Sequence, residues 1–159
     1  DPTPGFFRLS PGNIARLKHA YIIQCDEANI DSEGQVTEIK CTYFPESKSG
    51  HDTSGLKPKS VLHWVDGADC IDMEVRLYDR LFKVENPQTE EGDFKDYLNE
   101  NSLRIINKAK GELALKNAAS GEQFQFLRLG YFCQDADSTS ESMVFNRTVS
   151  LKDGNKKKG

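Results

Sequence analysis

The chain has 159 residues, enough to bury a core of its own and compatible with one domain or two small ones. A hydrophobic fraction of 36% and a charged fraction of 29% with both signs interspersed exclude an intrinsically disordered polypeptide. A formal net charge of −4 argues against a protein held to nucleic acid by bulk positive charge. No apolar run approaches the roughly 20 residues of a membrane helix. The opening DPTPGFFRLSPG lacks the charged and apolar regions of a secretory leader, so a cytoplasmic setting is expected. That opening also has no Met and reads as a linker, which leads us to expect a segment of a longer protein.

The distribution of charge carries more information than its sum. No acidic residue lies between Asp1 and Asp26, a stretch that holds Arg8, Arg16, Lys18 and His19. Residues 101–118 hold Arg104, Lys108, Lys110 and Lys116 against Glu112 alone, whereas residues 85–100 are strongly acidic. Such segregation suits a protein with one face for a polyanion and another that avoids it.

In chain order, RLKHAYIIQC at 16–25 and VTEIKCTYF at 36–44 read as two strands of a hairpin turned by NIDSEGQ. The second alternates cleanly, with Ile39, Cys41 and Tyr43 on the face expected to be buried. A Ser-, Gly- and Pro-rich loop at 45–59 leads to a strand SVLHWV at 60–65, where His63 and Trp64 are expected half in the core. MEVRLYDRLFKV at 73–84 fits a helix stripe and a strand equally well. After an acidic loop, FKDYLNE suggests one or two helical turns, and four further strands are expected at 102–107, 112–115, 124–132 and 143–151. Short strands at this spacing predict an all-β chain of sandwiches or barrels, ending in a disordered basic tail, GNKKKG.

Chemistry-bearing constellations are not found. Cys25, Cys41, Cys70 and Cys133 are scattered without CxxC or Cys/His spacing and are expected to be buried free thiols rather than metal ligands. Carboxylate neighbours such as Asp69 and Asp72 sit where turn formers sit, and no Ser lies in a nucleophile-elbow or phosphate-loop motif. We therefore assign no catalytic residue, no metal site and no cofactor to this chain.

FQFLRLGYF at 124–132 followed by VFNRTVSLKD at 144–153 closely resembles the end of the glutaminyl-tRNA synthetases. The resemblance runs back through RLYDRLF (76–82), VLHWV (61–65), IKCTY (39–43) and FFRLSPGNIARLKHAYII (6–23), in order and over nearly the whole chain. It implies two antiparallel six-stranded β-barrels of the ribosomal 5S-RNA-binding type: a distal one at 6–66, incomplete at its N-terminus, and a proximal one at 67–153, before a tail at 154–159. It also implies an anticodon-binding module whose partner is the anticodon loop of glutamine tRNA, working as a monomer within a ligase that charges tRNA with glutamine. ATP and Mg would act in a separate class I catalytic domain; its HIGH-like and KMSKS-like motifs do not occur here. The alternatives are the matching domain of a glutamyl-tRNA synthetase and a structural rRNA-binding barrel.

Matched motif by motif, the resemblance assigns Arg8 to the third anticodon base, Arg16 and Lys18 to the neighbourhood of the first, and Gln125 with Arg128 to the central uridine. Three departures accompany these assignments. Phe7 replaces a basic residue, Lys18 stands where Arg is usual and makes no bidentate fork, and Leu127 replaces an acidic neighbour of Arg128. Gln125 and Arg128 would face opposite sides of a regular strand, so a bulge or a strand end is expected between them. Arg147 shares parity with Phe145 and reads as structural, in an ion pair.

Overall fold

A computed structural model describes residues 9–151. The chain divides into two compact units, Asp1–Trp64 and Val65–Gly159. Among the described residues all regular structure is strand or short 3-10 helix.

The first unit has four strands: β1 (Ile14–Leu17), β2 (Ile22–Ile30), β3 (Val36–Phe44) and β4 (Val61–Leu62), in the order β3-β2-β1-β4. The strand expected at 16–25 is broken in two. His19 adopts φ 60° and the Ala20 amide bonds Leu17 O at 2.9 Å, folding β1 back on β2. A second turn follows β2, where the Asp31 carboxylate accepts the amides of Glu33 and Gln35 at 2.9 and 2.8 Å. β3 lies where its alternation predicted, yet Ile39 is 41% and Tyr43 56% exposed, because β3 is an edge strand with neither face covered. The expected strand at 60–65 shrinks to β4, which pairs parallel to β1, and leaves both His63 and Trp64 exposed. Ala15, Ile22 and Cys25 form the small buried set, joined by Ser47 from the 3-10 turn Pro45–Ser47. Of the four thiols only Cys25 is buried; Cys41 is exposed and the other two are intermediate.

The second unit orders its five strands β6-β5-β9-β8-β7: β5 (Cys70–Tyr78), β6 (Leu103–Glu112), β7 (Gln123–Phe126), β8 (Gly130–Gln134) and β9 (Met143–Ser150). Of the ambiguous segment 73–84, residues 73–78 belong to the strand β5, because Met73 and Val75 alternate into the core while Leu77 packs against it, and 79–84 are neither helix nor part of that strand. FKDY forms a 3-10 turn, Phe94–Tyr97, and the strand expected at 112–115 is instead the 3-10 turn Leu113–Asn117, which lays Leu115 on the core. The run 124–132 is a hairpin rather than one strand: β7 ends at Phe126 and β8 begins at Gly130.

The expected antiparallel six-stranded barrels are not what forms. Each sheet is mixed, since β4 runs parallel to β1 and β9 parallel to β5. Among the described residues the outer strands of each sheet do not pair with one another, so the sheets of four and five strands stay open.

The core of the second unit is built around Phe145, fully buried on β9 between β5 and β8. Its ring meets Phe124 edge-on at 5.8 Å and Phe126 at 5.5 Å, while Phe126 stacks on Phe132 at 4.3 Å. Below this cluster Arg76 binds Glu74 at 2.6 Å and Asp137 at 2.8 Å, with Asp135 at 3.5 Å. Asp135 also accepts the Asp137 amide at 2.8 Å and the Asn146 side chain. The Asp137 amide first, then Asn146 and Arg76, hold the Asp135 carboxyl below the usual carboxylate range.

Two outcomes follow for stability. Phe145→Ala should cost about 3–5 kcal/mol, the range for deleting a buried aromatic side chain, read as a lowered urea midpoint for β9 amide exchange. Asp135 is ionised more readily in the folded state than in the unfolded one, so its contribution is fully present above the ordinary pKa of about 3.9 and is lost as pH falls through the lower folded value. Exchange protection of β9 should therefore drop on acidification below about pH 4, and Asp135→Asn should flatten that acid limb.

Candidate nucleic-acid interface

In the first unit Arg16 stands on β1 and Lys18 at the β1–β2 turn. Arg16 is half-buried on β1 and its guanidinium is committed to the loop that follows β3. Nη1 donates to Ser47 O at 2.7 Å and more weakly to Ala20 O and Ser49 Oγ at 3.4 Å, and Nη2 pairs with Asp52. The Asp52 carboxyl is held below its usual range, first by the hydroxyl and amide of Ser54 and then by Arg16. Buried Ser47 completes the tie, accepting the Ile22 amide at 2.7 Å and donating to Phe44 O at 2.6 Å. Arg16 thus clamps the loop 45–54 onto the turn, at which Lys18 is half-buried and His19 exposed. The Lys18 amide bonds Leu62 O at 2.9 Å and its carbonyl accepts the Trp64 indole N–H at 3.0 Å, which fixes the turn from both sides. Trp64 leaves 41% of its surface exposed beside Lys18, where the sequence predicts a ring half in the core. Arg8 and Phe7 lie outside the described residues.

In the second unit the strand end anticipated between Gln125 and Arg128 is present. Gln125 is exposed on β7, on the face opposite Phe124 and Phe126. Arg128 sits in the three-residue loop between the paired residues Phe126 and Gly130, at φ 67°. A non-glycine residue in this left-handed region is uncommon and costs of order 1–3 kcal/mol where the surroundings hold it there. The hairpin closes through the Leu129 amide to Phe126 O at 2.9 Å. Gly130 lies at φ +144°, and a Cβ there would stand 2.5 Å from the Val149 carbonyl oxygen, so only glycine allows β8 to leave the loop this closely against β9.

Arg128 and Leu129 line a cavity of about 750 Å³, within the range of small-molecule sites of about 300–1,000 Å³. Its other walls are Tyr78 and Asp79 at the end of β5, and Arg147, Thr148, Ser150 and Leu151 along the end of β9. Gln125 does not line it. Arg147, expected in a structural ion pair, has none among the described residues. Its aliphatic stem packs over Gly130, 3.3 Å from the position a Cβ would take. The parity with Phe145 that suggested burial is correct, but the core ends one residue pair before Arg147.

No group of three or more potential metal-ligating side chains occurs among the described residues, and no described helix is long and apolar enough to cross a membrane. What the arrangement offers is a set of cations, amides and exposed rings on loops and strand ends.

Comparison with known proteins agrees with that chemistry. A family model described as class I tRNA synthetases (E and Q), anti-codon binding domain, matches residues 61–135, and a second of the same description matches 1–44. The glutamine–tRNA ligase of Rhodopirellula baltica is 49% identical over 150 residues, covering 93% of this chain and 25% of its own length. That of Stutzerimonas stutzeri is 46% identical over 155 residues (96% and 28%), and that of Salmonella choleraesuis 46% over 147 (92% and 26%). The chain therefore spans about a quarter of the length of the curated relatives it matches. Placed beside the two open sheets and the cation-bearing turns, these matches show that the chain belongs to the anticodon-binding domains of the class I tRNA synthetases of the E and Q type.

Proposed function

We propose that this chain reads the anticodon loop of glutamine tRNA and, within a whole ligase, couples that reading to ATP- and Mg-dependent charging with glutamine carried out by a separate catalytic domain. The single observation that carries the reading is Arg128, held at a left-handed backbone angle on a three-residue loop at the mouth of a nucleotide-sized cavity. Such positions are retained where the side chain must be aimed rather than packed. Arg128 reads the edge of the central base, and Gln125 contributes from the adjoining strand face. Lys18 meets the backbone near the first anticodon nucleotide, on the surface that Arg16 holds in shape, and Arg8 meets the third base. In this reading residues 6–66 and 67–153 are the distal and proximal parts of the recognition surface, and the protein works as a cytoplasmic monomer.

Recognition of this kind needs no net positive charge. Sequence-specific RNA binding acts on unstacked loop bases whose polar edges are free, and each well-placed fork or amide discriminates by about 1–3 kcal/mol. The family description covers both glutamate and glutamine enzymes. The relatives' names, together with the FQFLRLGYF and VFNRTVSLKD pairing, favour glutamine.

Filter binding to glutamine and glutamate tRNA transcripts with exchanged anticodons tests the proposal; equal affinity for every anticodon would reject both synthetase readings. Arg128→Ala should lower discrimination at the central base by about 1–3 kcal/mol. Lys18→Ala should weaken all tRNAs alike and reduce the slope of log affinity against log salt by about 0.7.

A further inference from the structure

The two thiols of the first unit stand opposite each other. Cys25 on β2 and Cys41 on β3 are direct partners in the antiparallel ladder, so their side chains leave the sheet on the same face. The Cys25 amide donates to Asn13 O at 3.0 Å, and the Cys25 carbonyl accepts the Gly12 amide at 2.8 Å. Both backbone groups therefore point away from β3, which makes Cys25 and Cys41 a non-hydrogen-bonded pair. In such pairs the Cα atoms stand about 4.5 Å apart and the side chains are at their closest, within the roughly 4.4–6.8 Å that a disulfide spans. The side chains also act on one another: burial first, then Cys25 and Asp26, push the Cys41 thiol up. Cys70 and Cys133 are not so placed, since their ladder partners are Glu112 for the one and Gln123 and Asn146 for the other.

The pair is unequal in access. Cys25 is fully buried, whereas Cys41 is exposed on β3, an edge strand of its sheet. A two-step oxidation needs this division: one sulfur meets the reagent, and a second, sheltered sulfur displaces it.

We propose that Cys25 and Cys41 form a redox-modifiable site, closed to a cross-strand disulfide by small-molecule disulfides of the glutathione class and reopened by the corresponding thiols. Cys41 gives up its proton and its sulfur attacks one sulfur of R–S–S–R. The S–S bond breaks, Cys41–S–S–R forms, and the departing sulfur takes up the proton as RSH. Cys25 then gives up its proton and attacks the Cys41 sulfur, forming the internal bond and releasing the second RSH. The two cysteines are together oxidised by two electrons, and R–S–S–R is reduced to two RSH. The raised Cys41 thiol makes the first step slow at neutral pH, because the thiolate is the nucleophile. The site therefore answers a sustained excess of oxidised reagent rather than a brief one. Closure ties β3 to β2 in the unit whose buried apolar set is only Ala15, Ile22 and Cys25, and a cross-link stabilises by restricting the unfolded chain. None of this depends on what the chain binds.

The test equilibrates the whole chain with oxidised and reduced glutathione at increasing ratio, then alkylates it and maps the peptides by mass spectrometry. At the oxidising end a peptide pair joining Cys25 to Cys41 is expected, lighter than the two thiol peptides by two hydrogens and returned to thiols by dithiothreitol. The urea midpoint for amide exchange in β2 and β3 should rise with it. Cys25→Ala should stop at the first step with glutathione on Cys41 and show no oxidation-dependent rise, and Cys41→Ser should leave Cys25 unmodified. A wild type that stays a pair of thiols, keeps glutathione on Cys41 at every oxidising ratio, or joins Cys41 only between chains would overturn the proposal. An internal bond that leaves the urea midpoint unchanged or lowers it would overturn it equally. Should Cys25→Ala not fold, the wild-type map still decides, with Cys41→Ser, changed at an exposed position, as its control. RNA binding is read in no arm, so failure here leaves the anticodon reading standing.

Discussion

Much of the second unit depends on the burial of one side chain, Phe145. It is fully excluded from solvent on the strand that joins a parallel neighbour to an antiparallel one, and its ring is met by two phenylalanines from β7. Without that contact the β7–β8 hairpin would be attached to the rest of the sheet chiefly through backbone pairing with β9, and a two-stranded hairpin alone is marginal in water. Core and cleft lining are therefore successive parts of the same strand. Phe145 fixes the hairpin, the hairpin fixes the loop that carries Arg128, and two residues further along β9 the side chain is Arg147 rather than another apolar group.

The first unit reaches order by a different route. Few apolar residues are fully buried there, and Ile30, Val36, Ile39 and Tyr43 remain exposed. Polar links take over part of the work. The Arg16 guanidinium and the Ser47 hydroxyl bind carbonyls and an amide of the loop and of β2, so a Ser- and Gly-rich segment is held without a hydrophobic anchor. Hydrogen bonds to a charged group are worth more than neutral ones, and a buried hydroxyl with both donor and acceptor satisfied carries no desolvation penalty. This arrangement also separates Arg16 from Lys18 although they are two residues apart: the Arg16 side chain organises the loop, whereas at Lys18 it is the backbone that is tied, to Leu62 and Trp64.

The sequence made the strand with strict alternation, β3, legible, and the resemblance pointed to the function. What it hid were turns made by unexpected residues. His19 and Arg128 adopt positive φ without being glycine, and nothing in RLKHAY or FLRLGYF marks a reversal except Gly130. Each was therefore read as the interior of a longer strand. ELAL looked like a strand because alternation cannot be told from a 3-10 turn over so few residues. Exposure was misjudged for Ile39 and Trp64 because period-2 alternation shows that two faces differ and does not show that either is covered. At Arg147 the parity was right and the role was not. Alternation identifies which side of the sheet a residue takes, whereas the place where the core stops depends on long-range packing.

These features explain how an acidic chain can recognise a polyanion. A surface that holds RNA by bulk charge shows a steep salt dependence and little preference among sequences. Here three cations are each placed by their own scaffold: Lys18 by a turn fixed through Leu62 and Trp64, Arg128 by a hairpin loop at positive φ, and Arg147 by the central strand. In the proposed reading affinity is divided among a small number of braced contacts, so that a wrong base at one position forfeits a large share of the binding free energy. The negative charge over the rest of the chain then sharpens the discrimination, because it denies a non-cognate RNA a second place to settle.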